Sequence, residues 1–217
     1  GLIALACVLF GFVSPGWLIF LLTIALAKAL VVQGVVMQMR SGLVSFGQGL
    51  FYCIGGYTVG MGGQFFGIHD AIAALSLGMF VAIVVAMLLG LLLTRYREIF
   101  FAMLSLAFSM ILFGILVKSQ ELGSTDGFNV HTVFTMTVVS GLIVAVLIHR
   151  YTKAGIGVIC EAVRENEVRV EYLGLSPRWL LYGNYVAAAA VSALGGGLTA
   201  LATGHVDPEM AYWTTSG

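Results

Sequence analysis

Lys28 lies halfway along the apolar run Gly16–Met39. An ammonium at that depth must face a bundle interior, a cavity or a subunit interface. It suits either of two uses: holding an anionic group, or pairing with carbonyls or a partner side chain at an interface. The acids are arranged in the opposite sense. Asp70 and Glu98 stand at the ends of apolar runs, the other carboxylates lie in connections, and none is inside a run. Proton-driven pumps and transporters use intramembrane carboxylates as relays, so the pattern argues against one. Intramembrane proteolysis is no better supplied, with no intramembrane Asp pair, no HExxH and no Gly-x-Ser-x-Gly elbow. His69, His131 and His205 fall near one face of the spans, but their spacing fits no ligand motif. Cys7, Cys53 and Cys160 are too scattered for a disulfide framework or a zinc site. No metal, no cofactor and no catalytic residue is expected. A Walker A loop reads GxxxxGK[ST], and none of Lys28, Lys118 and Lys153 follows a glycine. Any nucleotide-driven work must therefore come from a separate subunit.

The longest polar connection, Arg150–Leu181, contains GVICEAVRENEVRVEYLGLSPRW, which reads as a short amphipathic helix. Glu165 precedes Arg169 by four residues, the favourable order for a helical ion pair. Gly174 stands where a left-handed C-cap belongs. Ser176 reads as an N-cap with Pro177 at the first helical position. The chain thus lays down a charged helix and restarts a span within a few residues. A solvated connection would need less, and the compact charged element reads as built for docking another protein.

These residues are positioned by apolar elements. Of the 217 residues 60% are hydrophobic and 9% charged, with a mean hydropathy of +1.04; soluble domains carry about 25% charged residues. One soluble core could not hide so much apolar surface. An all-α polytopic membrane protein is expected. A bilayer-crossing helix takes about 20 apolar residues, which gives spans at Gly16–Met39, Leu43–Gly62, Asp70–Thr94, Ile99–Lys118, Phe128–His149 and Tyr182–Thr203. The shorter run Leu2–Val13 is the remainder of a seventh, closed by Ser14-Pro15-Gly16. Residues 1–217 then form a single transmembrane domain. The chain starts at Gly1, not Met, and ends on a polar run, so both ends read as cut from a longer protein. Basic residues accumulate in cytoplasmic connections. Alternation from Arg40 also puts Arg95, Arg97, Arg150, Lys153, Arg164, Arg169 and Arg178 on that side, with the 150–181 loop cytoplasmic. Ten basic and ten acidic residues cancel, leaving no clustered positive field for a nucleic acid.

Leu43–Gly62 is unusual among the spans. It holds Gly47, Gly49, Gly55, Gly56 and Gly60, with Ser45 and Gln48 among them. Glycine costs about 1 kcal/mol per helix-interior position relative to Ala. In membranes, small residues also let backbones approach, and non-helical backbone survives only where protein or water satisfies it. A kinked helix beside a solute pathway and tight packing alone are both consistent with this composition. Ala189, Ala193 and Gly197, four residues apart, read as a packing ladder.

The sequence resembles the transmembrane permeases of branched-chain amino acid (LIV-type) ABC importers from about Gly16 onward. The carriers are GLVSFGQGLFYCIGGYT at Gly42–Thr58, FFAMLSLAFSMI at Phe100–Ile111 and GSTDG at Gly123–Gly127. The REN-E-R--YLGLSP pattern from Arg164 to Pro177 and GHVDP at Gly204–Pro208 complete the order. The resemblance implies a non-catalytic permease subunit in a bacterial or archaeal inner membrane. Two cytoplasmic ATP-binding subunits, a second related permease subunit, membrane lipid and a periplasmic or extracellular solute-binding protein are the implied partners. By position, Glu161–Gly174 would be the ATPase-coupling element, with Arg164, Glu165, Asn166 and Glu167 as contacts and Glu161, Arg169 and Gly174 framing them. Ser45, Gln48, Gly55 and Gly56, with Ser124, Thr125 and Asp126 of the outer loop, are pathway candidates. In that loop Leu122 replaces the family's usual leading Thr and Ser124 its second Gly, which leaves branched-chain amino acids, urea, short amides and aromatic acids as solutes. A passive channel for a small neutral solute is the alternative, and an assembly subunit without a pathway a third.

Overall fold

The computed structural model describes residues 15–43, 45, 47–66, 70–94, 98–118, 130–207 and 210. Among them are eight helices: α1 (Gly16–Arg40), α2 (Gln48–Phe66), α3 (Ala71–Leu93), α4 (Glu98–Lys118), α5 (Val130–Lys153), α6 (Gly155–Glu165), α7 (Glu167–Tyr172) and α8 (Pro177–Thr203). Four helices are long and apolar enough to cross a membrane: Gly16–Arg40, Ala71–Leu93, Thr132–Lys153 and Pro177–Thr203; Phe100–Leu116 is a shorter apolar helix. The chain is an all-helical, multi-pass membrane protein. The expected span Leu2–Val13 lies outside the described residues.

Packing of α3 follows membrane logic, with small side chains inside and large ones turned out. In α3 the buried row is Ala71, Ala74, Gly78, Ala82, Ala86, Gly90 and Leu93, at three- and four-residue spacing. Ile72, Phe80, Leu88 and Leu92 of the same helix are exposed. Lipid gives apolar side chains no reason to hide, so association rests on close backbone approach. The centre of the bundle is α8, which packs against α1, α2 and α3. Its ladder Ala189, Ala193, Gly197 is buried at these crossings. A methyl group at Gly195 would lie 2.6 Å from the Ala27 carbonyl oxygen of α1, and one at Gly197 2.7 Å from Leu75 of α3. Methyls at Gly196 or Gly55 would fall on the backbone of Tyr52 or Ala193, respectively. Nearer the other end of α8, Tyr185 meets Phe51 of α2 and Phe101 of α4 edge-to-face, with ring centroids 5.5 and 5.8 Å away.

Two boundaries differ from the sequence reading. The Leu43–Gly62 run does not open as a helix: α2 begins only at Gln48. The described residues just before it, Ser41, Leu43, Ser45 and Gly47, are buried. The turn that ends α1 has Gly42 at φ 81°, and Leu43 N–H still donates to the Gln38 carbonyl at 3.1 Å. Non-helical backbone is tolerated here because protein surrounds it. The 150–181 connection is two helices, broken at Asn166 in extended geometry (φ −161°, ψ 102°), whose side chain caps α7 by accepting from Arg169 N–H at 3.2 Å. Glu165 and Arg169 therefore stand on different helices, and no ion pair joins them, which corrects the expected helical pair. As the Ser176–Pro177 pair predicts, α8 begins at Pro177, ahead of the apolar run that starts at Tyr182. Ser176 occupies the N-cap position, although its side chain makes no capping bond.

Gly174 ends α7 as expected. Its φ is 78°, Gly174 N–H donates to the Glu171 carbonyl at 2.9 Å, and Leu175 N–H to the Val170 carbonyl at 3.3 Å. This pair of bonds is a Schellman motif. A methyl at Gly174 meets nothing within 4 Å, so Gly174→Ala isolates the backbone term. It is expected to cost about 1 kcal/mol, read as faster amide exchange across residues 167–176 with the rest of the bundle unchanged.

Candidate functional site

The basic end of the bundle gathers α6 and α7 under α1, α5 and α8. Cys160, Val163 and Val170 are the buried residues of the two short helices. Val163 and Val170 join a core cluster with Leu43, Leu50 and Leu181. On the other side Glu161, Arg164, Glu165, Asn166, Arg169 and Gly174 are exposed and Glu167 is half-buried. The amphipathic pattern thus clamps one face to the spans and turns a charged face outward. Arg164 also touches the bundle: a methyl at Gly42 would lie 3.3 Å from its Cγ and 3.4 Å from its Cα. A polar cavity of about 370 Å³ opens between the Ser41–Leu43 turn and Val163–Glu167.

Behind this face runs a buried chain of hydrogen bonds. Asn184 Nδ2 of α8 donates to the Met37 carbonyl at 2.9 Å and to Ser41 Oγ at 2.7 Å, both at the end of α1. Tyr151 OH of α5 donates to Asn184 Oδ1 at 3.2 Å and lies 3.6 Å from Cys160 Sγ of α6. Ser41 Oγ donates to the Gln38 carbonyl at 2.8 Å. α6 is thereby tied through α5 to α8 and α1. Sequence reasoning missed Tyr151 and Asn184; the available signal was an amide inside an apolar span, where polar side chains join helices. Asn184→Leu removes the donor from Met37 and Ser41 and the acceptor from Tyr151. A loss of about 1–3 kcal/mol is expected, measured as a lower melting temperature in detergent.

Three of the four pathway candidates in the glycine-rich segment, Gln48, Gly55 and Gly56, meet α8. Gln48 is buried, with its Oε1 accepting from Ser192 Oγ at 2.6 Å. Ser45 Oγ accepts from Gly47 N–H at 3.2 Å. Gly55 sits at the Ala193 crossing, and Gly56 lies beside Gly196, Val206 and Met210. Gln48 Nε2 and both amide atoms of the buried Gln38 have no protein partner. Buried amides of this kind are where water or a polar solute enters. Ser124, Thr125 and Asp126 lie outside the described residues, as do His69 and Cys7. His205 Nε2 is 2.7 Å from Asp207 Oδ1, both exposed, beyond the end of α8. Among the described residues no group of three metal-ligating side chains forms. A separate apolar hollow of about 520 Å³ lies between α3 and α5. Its Ser76 and Ser140 hydroxyls donate to carbonyls of their own helices.

The profile of the family described as branched-chain amino acid transport system / permease component matches residues 17–216. The high-affinity branched-chain amino acid transport system permease protein LivM of Escherichia coli (strain K12) is 27% identical over 210 residues, covering 78% of this chain and 48% of the relative. LivM of Salmonella typhimurium matches with the same identity and coverage. The chain spans about half the length of these relatives. No solved structure matches it. Small-residue crossings, a charged element clamped to one end of the bundle and a family profile over nearly the whole chain converge on one assignment: this chain belongs to the branched-chain amino acid transport permease family.

Proposed function

We propose that residues 1–217 form a transmembrane domain of the non-catalytic permease subunit of an ATP-driven importer. The solute is a branched-chain or other hydrophobic amino acid, or a related small neutral solute such as urea or an amide. Two ATP-binding subunits dock from the cytoplasm on the exposed side of α6–α7, at Glu161, Arg164, Glu165, Asn166, Glu167 and Arg169, with Gly174 closing the element. A second, related permease subunit completes the pathway, and a periplasmic or extracellular solute-binding protein delivers the solute. The protein resides in a bacterial or archaeal inner membrane, with residues 150–181 on the cytoplasmic side.

One observation carries this reading: α6–α7 presents charge outward while its inner face is bonded through Cys160, Tyr151 and Asn184 to α5, α8 and α1. An element held in this way transmits displacement to three long helices and does not itself need a nucleotide. Closure of the ATPases around ATP would draw α6–α7 along and change how α8 seats against α1 and α2. Gln48 and the glycines Gly55 and Gly56 lie on that seat, and Ser45 stands just before it in the chain. Switching is a population shift, and ATP drives it only as far as the ATPases bind one bundle state better than the other.

The test uses the full-length protein with its natural subunits in cells. Uptake should stop on ATP depletion while the membrane potential is held. Uptake that persists at its original rate would overturn the importer reading and favour a passive channel.

A further inference from the structure

Two amides inside the bundle are left open by the protein around them. Gln38 of α1 and Gln48 of α2 are 0% and 1% exposed. Gln48 Nε2 and both amide atoms of Gln38 have no hydrogen-bond partner among the described residues. A buried polar group left unmet is costly, so two on one crossing call for an occupant. The helices bring the two amides to one place. Gln48 Oε1 accepts from Ser192 Oγ of α8 at 2.6 Å, and a methyl at Gly34 of α1 would lie 2.7 Å from the same Oγ. Gly34, Ser192 and the Gln48 amide therefore meet at one level. Gln38 is one turn beyond Gly34 on the same buried side of α1. Helical side chains lean back over the preceding turn, which carries its amide toward Ser192 and Gln48, over a residue with no side chain of its own.

The chemistry of the open atoms selects the ligand. Each Nε2 offers two N–H donors, and Gln38 Oε1 is the open acceptor, the Gln48 carbonyl being engaged by Ser192. Donors outnumber acceptors, so the two amides cannot satisfy each other, and the occupant must both accept and donate. Water does both and needs two to four polar partners. It is also small enough for a crossing where a single methyl at Gly34 would already collide with Ser192. We propose that Gln38, Gln48 and Ser192 form a buried hydration site that joins α1, α2 and α8 through ordered water. At the Asn184 level α8 is bonded to α1 directly; at the Ser192 level water completes the joint. Bonds made through water are exchanged without leaving a group unpaired, so this level can shift while Asn184 holds. The inference needs only the packing of α1, α2 and α8 and does not depend on the importer reading.

The test is cryo-electron microscopy of the full-length protein at a resolution that shows ordered water. Water density is expected within about 3.2 Å of Gln48 Nε2 and of at least one Gln38 amide atom. A direct bond from either open amide group to protein, an empty gap between them, or density for a larger molecule would overturn the proposal. Melting temperature gives an independent reading. Gln38→Leu nearly keeps the size of the side chain. Removing an amide without a partner raises stability, whereas removing one that holds water strands Gln48 Nε2 and lowers it. The expected melting temperature is a few degrees lower. Gln38→Leu combined with Gln48→Leu should lose less than the two single losses together, because the two amides share the water. A rise in Gln38→Leu, or strictly additive losses, would count against the site. Where Gln38→Leu prevents folding, the density in the unaltered protein decides.

Discussion

Gly196→Ala is expected to eliminate the folded protein, the largest effect of any single methyl group in the bundle. The added carbon would fall on the carbonyl of Tyr52, and the obstacle is backbone, not the end of a side chain. α2 and α8 would have to separate along a crossing where Gly55 lies equally close to the Ala193 backbone. Overpacking a well-filled core costs about 1–3 kcal/mol even where side chains can give, and here nothing can. No hydrophobic gain offsets the loss, because lipid receives the separated faces as well as protein does. The control is Gly183→Ala on the same helix, where a methyl meets nothing within 4 Å. Its folded fraction should equal that of the unaltered protein, as measured by size-exclusion profiles after stepwise heating in mild detergent. Equal profiles for the two variants would mean that α2 and α8 do not cross at this contact.

Charge reversal at Arg164 should uncouple ATP hydrolysis from uptake. Its head is on the exposed side of α6 while its Cα, Cβ and Cγ rest on Gly42, so Arg164→Glu changes the presented charge and keeps much of the aliphatic contact. Allosteric coupling energies are about 1–3 kcal/mol, so losing one lowers solute moved per ATP hydrolysed by about 5- to 150-fold. Glu165→Lys should act in the same direction. Both are read in proteoliposomes containing the full complex, with hydrolysis and uptake measured on the same sample and melting temperature as the check on folding. Hydrolysis that stays coupled in both single variants and in the double variant would show that the ATPases dock elsewhere.

The apolar runs were legible in the sequence because a bilayer imposes length and composition directly on a helix. Asp70 and Thr94 stand just outside α3, and Lys118 ends α4, where the sequence reading put the edges of those spans. The small-residue ladder of α8, Ala189, Ala193 and Gly197, was legible for a related reason, since small residues four apart have few uses in a membrane other than packing. The start of α2 was not. Leu43 is as apolar as any span residue, and only the surrounding protein reveals that Ser41, Leu43, Ser45 and Gly47 are buried without being helical. Asn166 broke the expected single helix because its amide caps α7 better than it continues α6. Tyr151 and Asn184 are 33 residues apart, and no local pattern marks their hydrogen bond.

The central claim, that this bundle is driven by separate ATPases docked on α6–α7, is tested most directly by what the full-length protein carries with it. Extraction from its native membrane in mild detergent, followed by mass spectrometry of the co-purifying chains, is the measurement. The account predicts an ATPase with its own Walker A loop together with a second permease chain. A homo-oligomer without an ATPase, reproduced after cross-linking in the membrane before extraction, would contradict it.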